Sequence, residues 1–251
     1  MDSSVAPLEV EGLSRNFGGL QALMGVNFSL QPGERRAIIG PNGAGKTTFF
    51  HLISGVLFPS SGRISLFGHE VTGKPPYRRA ALGLARTFQV NNLFPNLSVL
   101  ENILLSVQAK DRSKFSMFKP MTSYRSLYEK SERLMEEWNL VDKAETLVRN
   151  LSYGDQRVLE VVMALAQQPR LLLLDEPTGG LSPAETATVT EMLKHLPVDI
   201  TVLLIEHDMD VAFAMADRVT VFYVGQVLVE GTPDEVRDNE KVQEIYLGVP
   251  V

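Results

Sequence analysis

The residues that could do chemistry stand in short polar stretches, each placed after a run of apolar ones. The first is Gly40-Pro41-Asn42-Gly43-Ala44-Gly45-Lys46-Thr47-Thr48, set between Ala37-Ile38-Ile39 and Phe49-Phe50-His51-Leu52-Ile53. A strand, a glycine-rich turn and a helix, with Gly-x-x-x-x-Gly-Lys-Thr spacing, have the form of a phosphate-binding P-loop. The glycines let the backbone approach a polyphosphate without Cβ collisions. The N–H groups of the turn and of the helix start point at the anion. Lys46 then reaches the β- and γ-phosphates of a nucleotide, and the Thr47 hydroxyl holds Mg²⁺.

A second stretch, Asp175-Glu176, follows Leu171-Leu172-Leu173-Leu174. Burying charge is costly unless it is paired or metal-bound. This reads as Asp175 holding Mg²⁺, directly or through water, with Glu176 polarising an attacking water. Gln89, after Gly83 to Phe88, is placed either to reach Mg²⁺ or the water, or as an ordinary loop amide. His207, after Thr201 to Ile205, hydrogen-bonds a γ-phosphate or is a partly buried structural histidine. Leu151-Ser152-Tyr153-Gly154-Asp155-Gln156 opens a helix, where the Ser152 hydroxyl and the Gly154 amide favour an anion or simply cap the helix. Phe17, beside Gly18 and Gly19, either stacks on an adenine base or is a core aromatic at a hairpin end.

The elements that must position these groups alternate between strand and helix. Residues 8–35 read as β structure, with Val26 to Leu30 alternating and a turn at Gln31-Pro32-Gly33-Glu34. A helix is expected over 47–58, a strand over 63–68, a short helix over 75–82 and a strand over 83–88. Residues 90–150 turn mostly helical. Ser98 and Glu101 form a capping box for a helix to about Val107, residues 123–138 are helical, and Leu140 to Leu147 predicts a further short helix. Ser152 and Asp155 have capping-box spacing, as do Ser182 and Glu185, with Pro183 at the first helical position. A helix over 211–216, a hairpin around Gly225 and helices after Thr232-Pro233 and up to Tyr246-Leu247-Gly248 close the chain. The runs of leucine and isoleucine suit strands buried on both faces of a parallel sheet. Four such strands end in Gly40, Gln89, Asp175-Glu176 and His207. Ligands bind outside the carboxyl ends of strands in open parallel sheets, so these residues converge on one edge as an ATP-hydrolysing site.

Composition narrows the class. Net charge is −6 and pI about 5.3, against the basic surface of a nucleic-acid binder. There is no cysteine, so disulfide and thiol chemistry are excluded, which fits the cytosol. Met1 to Pro7 has no apolar signal core, and no apolar run approaches the roughly 18 residues of a spanning helix. Work at a membrane therefore requires docking on a membrane protein. Leu93 and Phe94 are either an exposed docking patch or covered by the following helix. The basic stretch over 109–121 reads as a linker between helices, either solvated or facing lipid head groups.

In this order the motifs resemble the ATP-binding cassette (ABC) family along essentially the whole chain. Gly40 to Thr48 is similar to its Walker A motif, Leu151 to Gln156 to its signature, and Leu171 to Glu176 to Walker B with the catalytic glutamate. Gln89, Ser182 and His207 fall where the Q-loop, D-loop and H-switch belong, and Phe17 where the adenine-stacking aromatic belongs. Tyr153 departs from the signature's first glycine and Ser182 from the D-loop aspartate. The resemblance implies an α/β fold, a P-loop NTPase (RecA-like) core with an N-terminal antiparallel β subdomain and an inserted helical subdomain. The core is expected over 1–89 and 165–251 and the helical part over 90–164. It implies ATP and Mg²⁺ as cofactors, with Thr47, Asp175 and Gln89 on the metal and Glu176, His207 and Gln89 in hydrolysis. It further implies a dimer, each nucleotide lying between one P-loop and the partner's Ser152 and Gly154.

More closely, Phe17-Gly18-Gly19-Leu20, Arg86 to Gln89, the insertion after Asn102, Glu206 to Met209 and Tyr246-Leu247-Gly248 resemble ATPase subunits of importers for branched-chain or other hydrophobic amino acids or amides. Expected partners are transmembrane permease subunits, a second cassette and, indirectly, a substrate-binding protein, on the cytoplasmic face of the membrane. An exporter ATPase and a soluble non-transport ABC ATPase are the alternatives.

Overall fold

Alternating apolar residues make the first sheet. β1 (Leu8–Phe17) pairs antiparallel with β2 (Leu20–Leu30) and with β4 (Ser61–Leu66), which pairs with β5 (His69–Glu70). The order is β2-β1-β4-β5. The structure, a computed structural model, describes residues 5–87, 93–111 and 124–247. It divides into two units, Met1–Arg86 with Arg170–Gly179 and Leu196–Val251, and Thr87–Pro169 with Gly180–His195. Residues 180–195, placed with the core in the sequence boundaries, thus group with the helices.

The first unit holds a second sheet in the order β10-β9-β3-β8-β7-β6. Its strands are β3 (Arg35–Ile39), β6 (Leu84–Arg86), β7 (Leu171–Asp175), β8 (Thr201–Ile205), β9 (Arg218–Tyr223) and β10 (Gln226–Gly231). All pairings are parallel except the β9–β10 hairpin. Every residue of β7 and β8 is buried, as unbroken apolar runs require. α1 (Lys46–Ser54) buries Phe49, Phe50, Leu52 and Ile53 completely, in one cluster with residues of both sheets. Phe49 meets Phe28 edge-on at 5.3 Å and Phe222 at 5.1 Å. Such contacts add to area burial.

α1 is shorter than the expected 47–58. Gly55 takes a left-handed conformation (φ 80°) and ends the helix. Arg79, fully buried on α2 (Pro76–Ala81), donates to the carbonyls of Leu52 and Ile53 at 2.6 and 2.7 Å. These are the acceptors a helix end leaves unmatched. α7 (Met209–Met215) begins earlier than expected because the Asp208 carboxylate accepts from the amides of Asp210 and Val211. α8 (Pro233–Arg237) carries a Thr232/Glu235 capping box, and α9 (Glu240–Leu247) follows.

The second unit is helical: α3 (Val99–Lys110), α4 (Arg125–Glu137), α5 (Tyr153–Leu165) and α6 (Pro183–Lys194). Capping boxes form at Ser98/Glu101 and Ser182/Glu185. The expected helix over Leu140 to Leu147 is absent. Only single 3₁₀ turns occur, at Val141–Lys143 and Val148–Asn150. The backbone there is spent elsewhere: Leu147 bridges Ser98, Val148 donates to Leu97 and Val99 to Thr146. At Ser152 the cap is one-sided. Its hydroxyl accepts from the Asp155 amide, but the Asp155 carboxylate pairs with Lys143. No helix among the described residues is long and apolar enough to cross a membrane.

Candidate functional site

The P-loop sits between β3 and α1, and its turn requires glycine. Gly40 and Gly45 have φ of 148° and 102°. A Cβ at Gly40 would lie 2.2 Å from the Phe222 carbonyl oxygen, and one at Gly45 would lie 2.7 Å from that of Ala22. The loop is braced from outside: Gly225 donates to Ala44 at 3.0 Å and Met24 to Gly225 at 2.9 Å. Lys46, 5% exposed, donates to the carbonyls of Gly40 at 2.6 Å and Pro41 at 3.1 Å. Burial lowers its pKa, and the negative charge of Glu176 opposes that shift. Thr47 and Thr48 are half-buried at the start of α1, while Asn42 and Gly43 are exposed.

The ends of β7 and β8 supply the acids and the histidine. Asp175, 1% exposed, is paired with Arg86 of β6 at 2.7 Å, and Arg86 also donates to the Ser54 hydroxyl at 2.8 Å. Glu176 leaves the strand in a left-handed conformation (φ 50°), its amide still donating to Ile205 at 3.0 Å. Its Oε1 lies 2.5 Å from Nε2 of His207. Glu206, 2% exposed, accepts from the Thr178 amide at 3.1 Å, the Thr178 hydroxyl at 2.9 Å and the His207 amide at 3.3 Å. Burial raises its pKa, although the Thr178 bonds pull the other way. The structure thus brings Lys46, Asp175, Glu176 and His207 to the carboxyl edge of one parallel sheet. Gln89 lies outside the described residues.

Phe17 stands at the β1–β2 turn, 41% exposed, with the Arg15 guanidinium 4.6 Å from its ring centre. At that exposure it is not a core aromatic.

In the helical unit, Ser152 caps α5 and is exposed. The buried Gly154 donates its amide to Glu185 Oε1 at 3.0 Å. The other Glu185 oxygen accepts from the Ser182 amide at 3.0 Å and hydroxyl at 2.7 Å. These bonds lower the Glu185 pKa, those from Ser182 more than that from Gly154. Tyr153, which replaces a glycine of the family pattern, turns outward with its hydroxyl accepting from Arg157 at 3.0 Å. Phe94 is 51% exposed, while Leu93 packs partly against the helical core.

Four residues here carry chemistry that the sequence does not announce. Arg86 stands out in the sequence only through a family resemblance, though a basic residue before Gln89 is a natural counter-charge for a buried aspartate. Glu206 was legible only as a neighbour of His207, and Glu185 only as a cap. Tyr246, half-buried on α9, faces the Gly40 backbone; burial pushes its phenol up to about 12. No local pattern foretells that contact.

An ATP-binding cassette is the class that this fold and P-loop define, and the comparisons agree. The ABC transporter family model matches residues 23–179, so the chain belongs to that family. A second model, of the branched-chain amino acid ATP-binding cassette transporter, matches residues 226–251. The chain is 40% identical to the high-affinity branched-chain amino acid transport ATP-binding protein BraF of Pseudomonas aeruginosa, over 96% of this chain and 97% of that protein. It is 39% identical to LivG of Escherichia coli, of the same description, with the same coverage. Among solved structures it is similar to the ADP conformation of an ATP-binding cassette of an ABC transporter (TM-score 0.85, 29% identity, 98% of this chain and 100% of that one). A nucleotide-free cassette matches with TM-score 0.84 and 29% identity over 97% and 100% of the two chains.

Proposed function

We propose that this cassette is the ATP-hydrolysing subunit of an importer for branched-chain or other hydrophobic amino acids or amides. The observation that carries the hydrolytic part is the Glu176–His207 pair beside the P-loop at the ends of two neighbouring strands. The relatives' names and the C-terminal family match support the cargo class.

ATP enters with its base against Phe17 and its phosphates in the turn from Gly40 to Thr48. Lys46 exchanges its two carbonyl partners for β- and γ-phosphate oxygens. Glu176 orients the attacking water and takes its proton, and His207, whose Nε2 meets Glu176 before ATP arrives, turns its N–H to the γ-phosphate. Gln89 joins them from the segment after β6. Thr47 offers a hydroxyl oxygen and Asp175 one buried carboxylate, and no cluster of three His, Cys, Asp or Glu side chains that could hold a metal occurs among the described residues. That set fits Mg²⁺, which prefers one or two carboxylates plus substrate phosphates to a protein cage. Thr47, Asp175 and Gln89 would hold it, and when bound it neutralises phosphate charge.

A single P-loop and a single signature per chain call for a second cassette, identical or sister, whose Ser152 and Gly154 equivalents meet the γ-phosphate. Closure pulls permease subunits docked near Gln89 to Pro95, and a substrate-binding protein delivers cargo on the far side. The cassette then sits at the cytoplasmic face, held there by the permease. The test is ATP-driven uptake of labelled hydrophobic amino acids and amides, leucine first, into proteoliposomes carrying the cassette with its second cassette, permease subunits and substrate-binding protein. Rapid ATPase without uptake of any hydrophobic amino acid or amide would reject the importer reading.

A further inference from the structure

The Gly154 amide, which a partner's nucleotide needs under the reading above, is already occupied by an anion of its own chain. Glu185 Oε1 accepts from it at 3.0 Å, and Gly154 is buried. The carboxylate is close enough that a Cβ on Gly154 would lie 3.0 Å from Glu185 Cγ and 3.1 Å from Oε1. Two anions cannot share one N–H donor at the start of a helix without strong repulsion. The two oxygens of Glu185 do different things: Oε2 completes the capping box of α6 through Ser182, and only Oε1 reaches across to α5. Oε1 can therefore leave Gly154 while the cap on α6 stays closed.

We infer that Glu185 is a built-in competitor of the γ-phosphate, a gate that holds the signature turn against the D-loop until ATP carried by the second cassette displaces it. Closure is then an exchange of one anion for another on Gly154. The displaced carboxylate keeps its Ser182 partners, so the release is reversible and needs no unfolding of α6. The proposal rests on the sandwich-dimer reading.

The test is the ATP concentration at half-maximal dimerisation, measured by light scattering in the Glu176→Gln background. Glu185→Gln preserves a capping box, which accepts Glu or Gln, and removes the charge. Loss of a charge-assisted bond at this part-buried site is expected to lower the midpoint by about three- to tenfold, with ATP binding by the monomer unchanged. Glu185→Asp keeps the charge but withdraws it by one methylene, and should shift the midpoint the same way should the Gln variant fold poorly. An unchanged or raised midpoint would overturn the gate. A parent Glu176→Gln protein that dimerises with ATP neither with itself nor with a sister cassette would instead overturn the sandwich reading on which the gate depends.

Discussion

Removing the Lys46 ammonium tests how much of ATP affinity the P-loop lysine supplies. In the free protein this charge is satisfied by the carbonyls of Gly40 and Pro41 at 2.6 and 3.1 Å. Binding ATP requires those bonds to be exchanged for phosphate oxygens. Unit charges 4 Å apart attract by about 4 kcal/mol at an effective dielectric of about 20. Giving up two hydrogen bonds offsets about 0.5–1 kcal/mol apiece, so about 2–3 kcal/mol remains. At 1.4 kcal/mol per decade, Lys46→Ala should weaken ATP binding by about 30- to 150-fold. Calorimetric titration at fixed ionic strength measures it directly, and urea unfolding checks that the fold survives. A loss below about threefold would show that the backbone turn alone supplies the affinity, and would refute the electrostatic argument.

Glu176→Gln should keep ATP affinity and lose hydrolysis by about a hundredfold or more, the scale of a general-base contribution; near-normal phosphate release would remove Glu176 from that role. Leu93→Asp with Phe94→Asp should leave ATPase activity of the isolated cassette intact and abolish uptake with the permease; wild-type uptake would place docking elsewhere. Glu206 gives a pH test. Its folded pKa is raised by burial, so the stability of its protonated form is present below the unfolded value of 4.5 and is lost as pH rises through the folded one. The unfolding free energy of wild type minus that of Glu206→Gln should therefore fall across that window, and a pH-independent difference in urea midpoints would contradict the assignment.

How far this was legible beforehand differs by element. The P-loop, β7 and β8 could be read because their signals are local: glycines at fixed spacing, and apolar runs that only a doubly covered strand tolerates. The capping boxes at Ser98 and Ser182 were legible for the same reason. Leu140 to Leu147 misled because its apolar spacing mimics a helix, while its backbone is claimed by the segment before α3. The end of α1 was overrun because its stop depends on Arg79, which lies 26 and 27 residues from the carbonyls it receives. Arg86 on Asp175, Glu206 on Thr178 and Glu185 on Gly154 are likewise bonds between distant segments. Which acid meets which partner is decided by the packing of strands and helices, and no spacing rule records it.

Glu176 also bears on how robust this molecule can become. Its backbone adopts a twist natural to glycine and uncomfortable for a side chain with a Cβ, at a penalty of about 1–2 kcal/mol. The awkward twist is what turns the carboxylate away from the strand and toward His207. Selection for heat tolerance would find an easy gain in glycine at this position, and under the mechanism proposed above that gain would remove the carboxylate hydrolysis depends on. On that mechanism, turnover and thermal endurance are set against each other at a single residue.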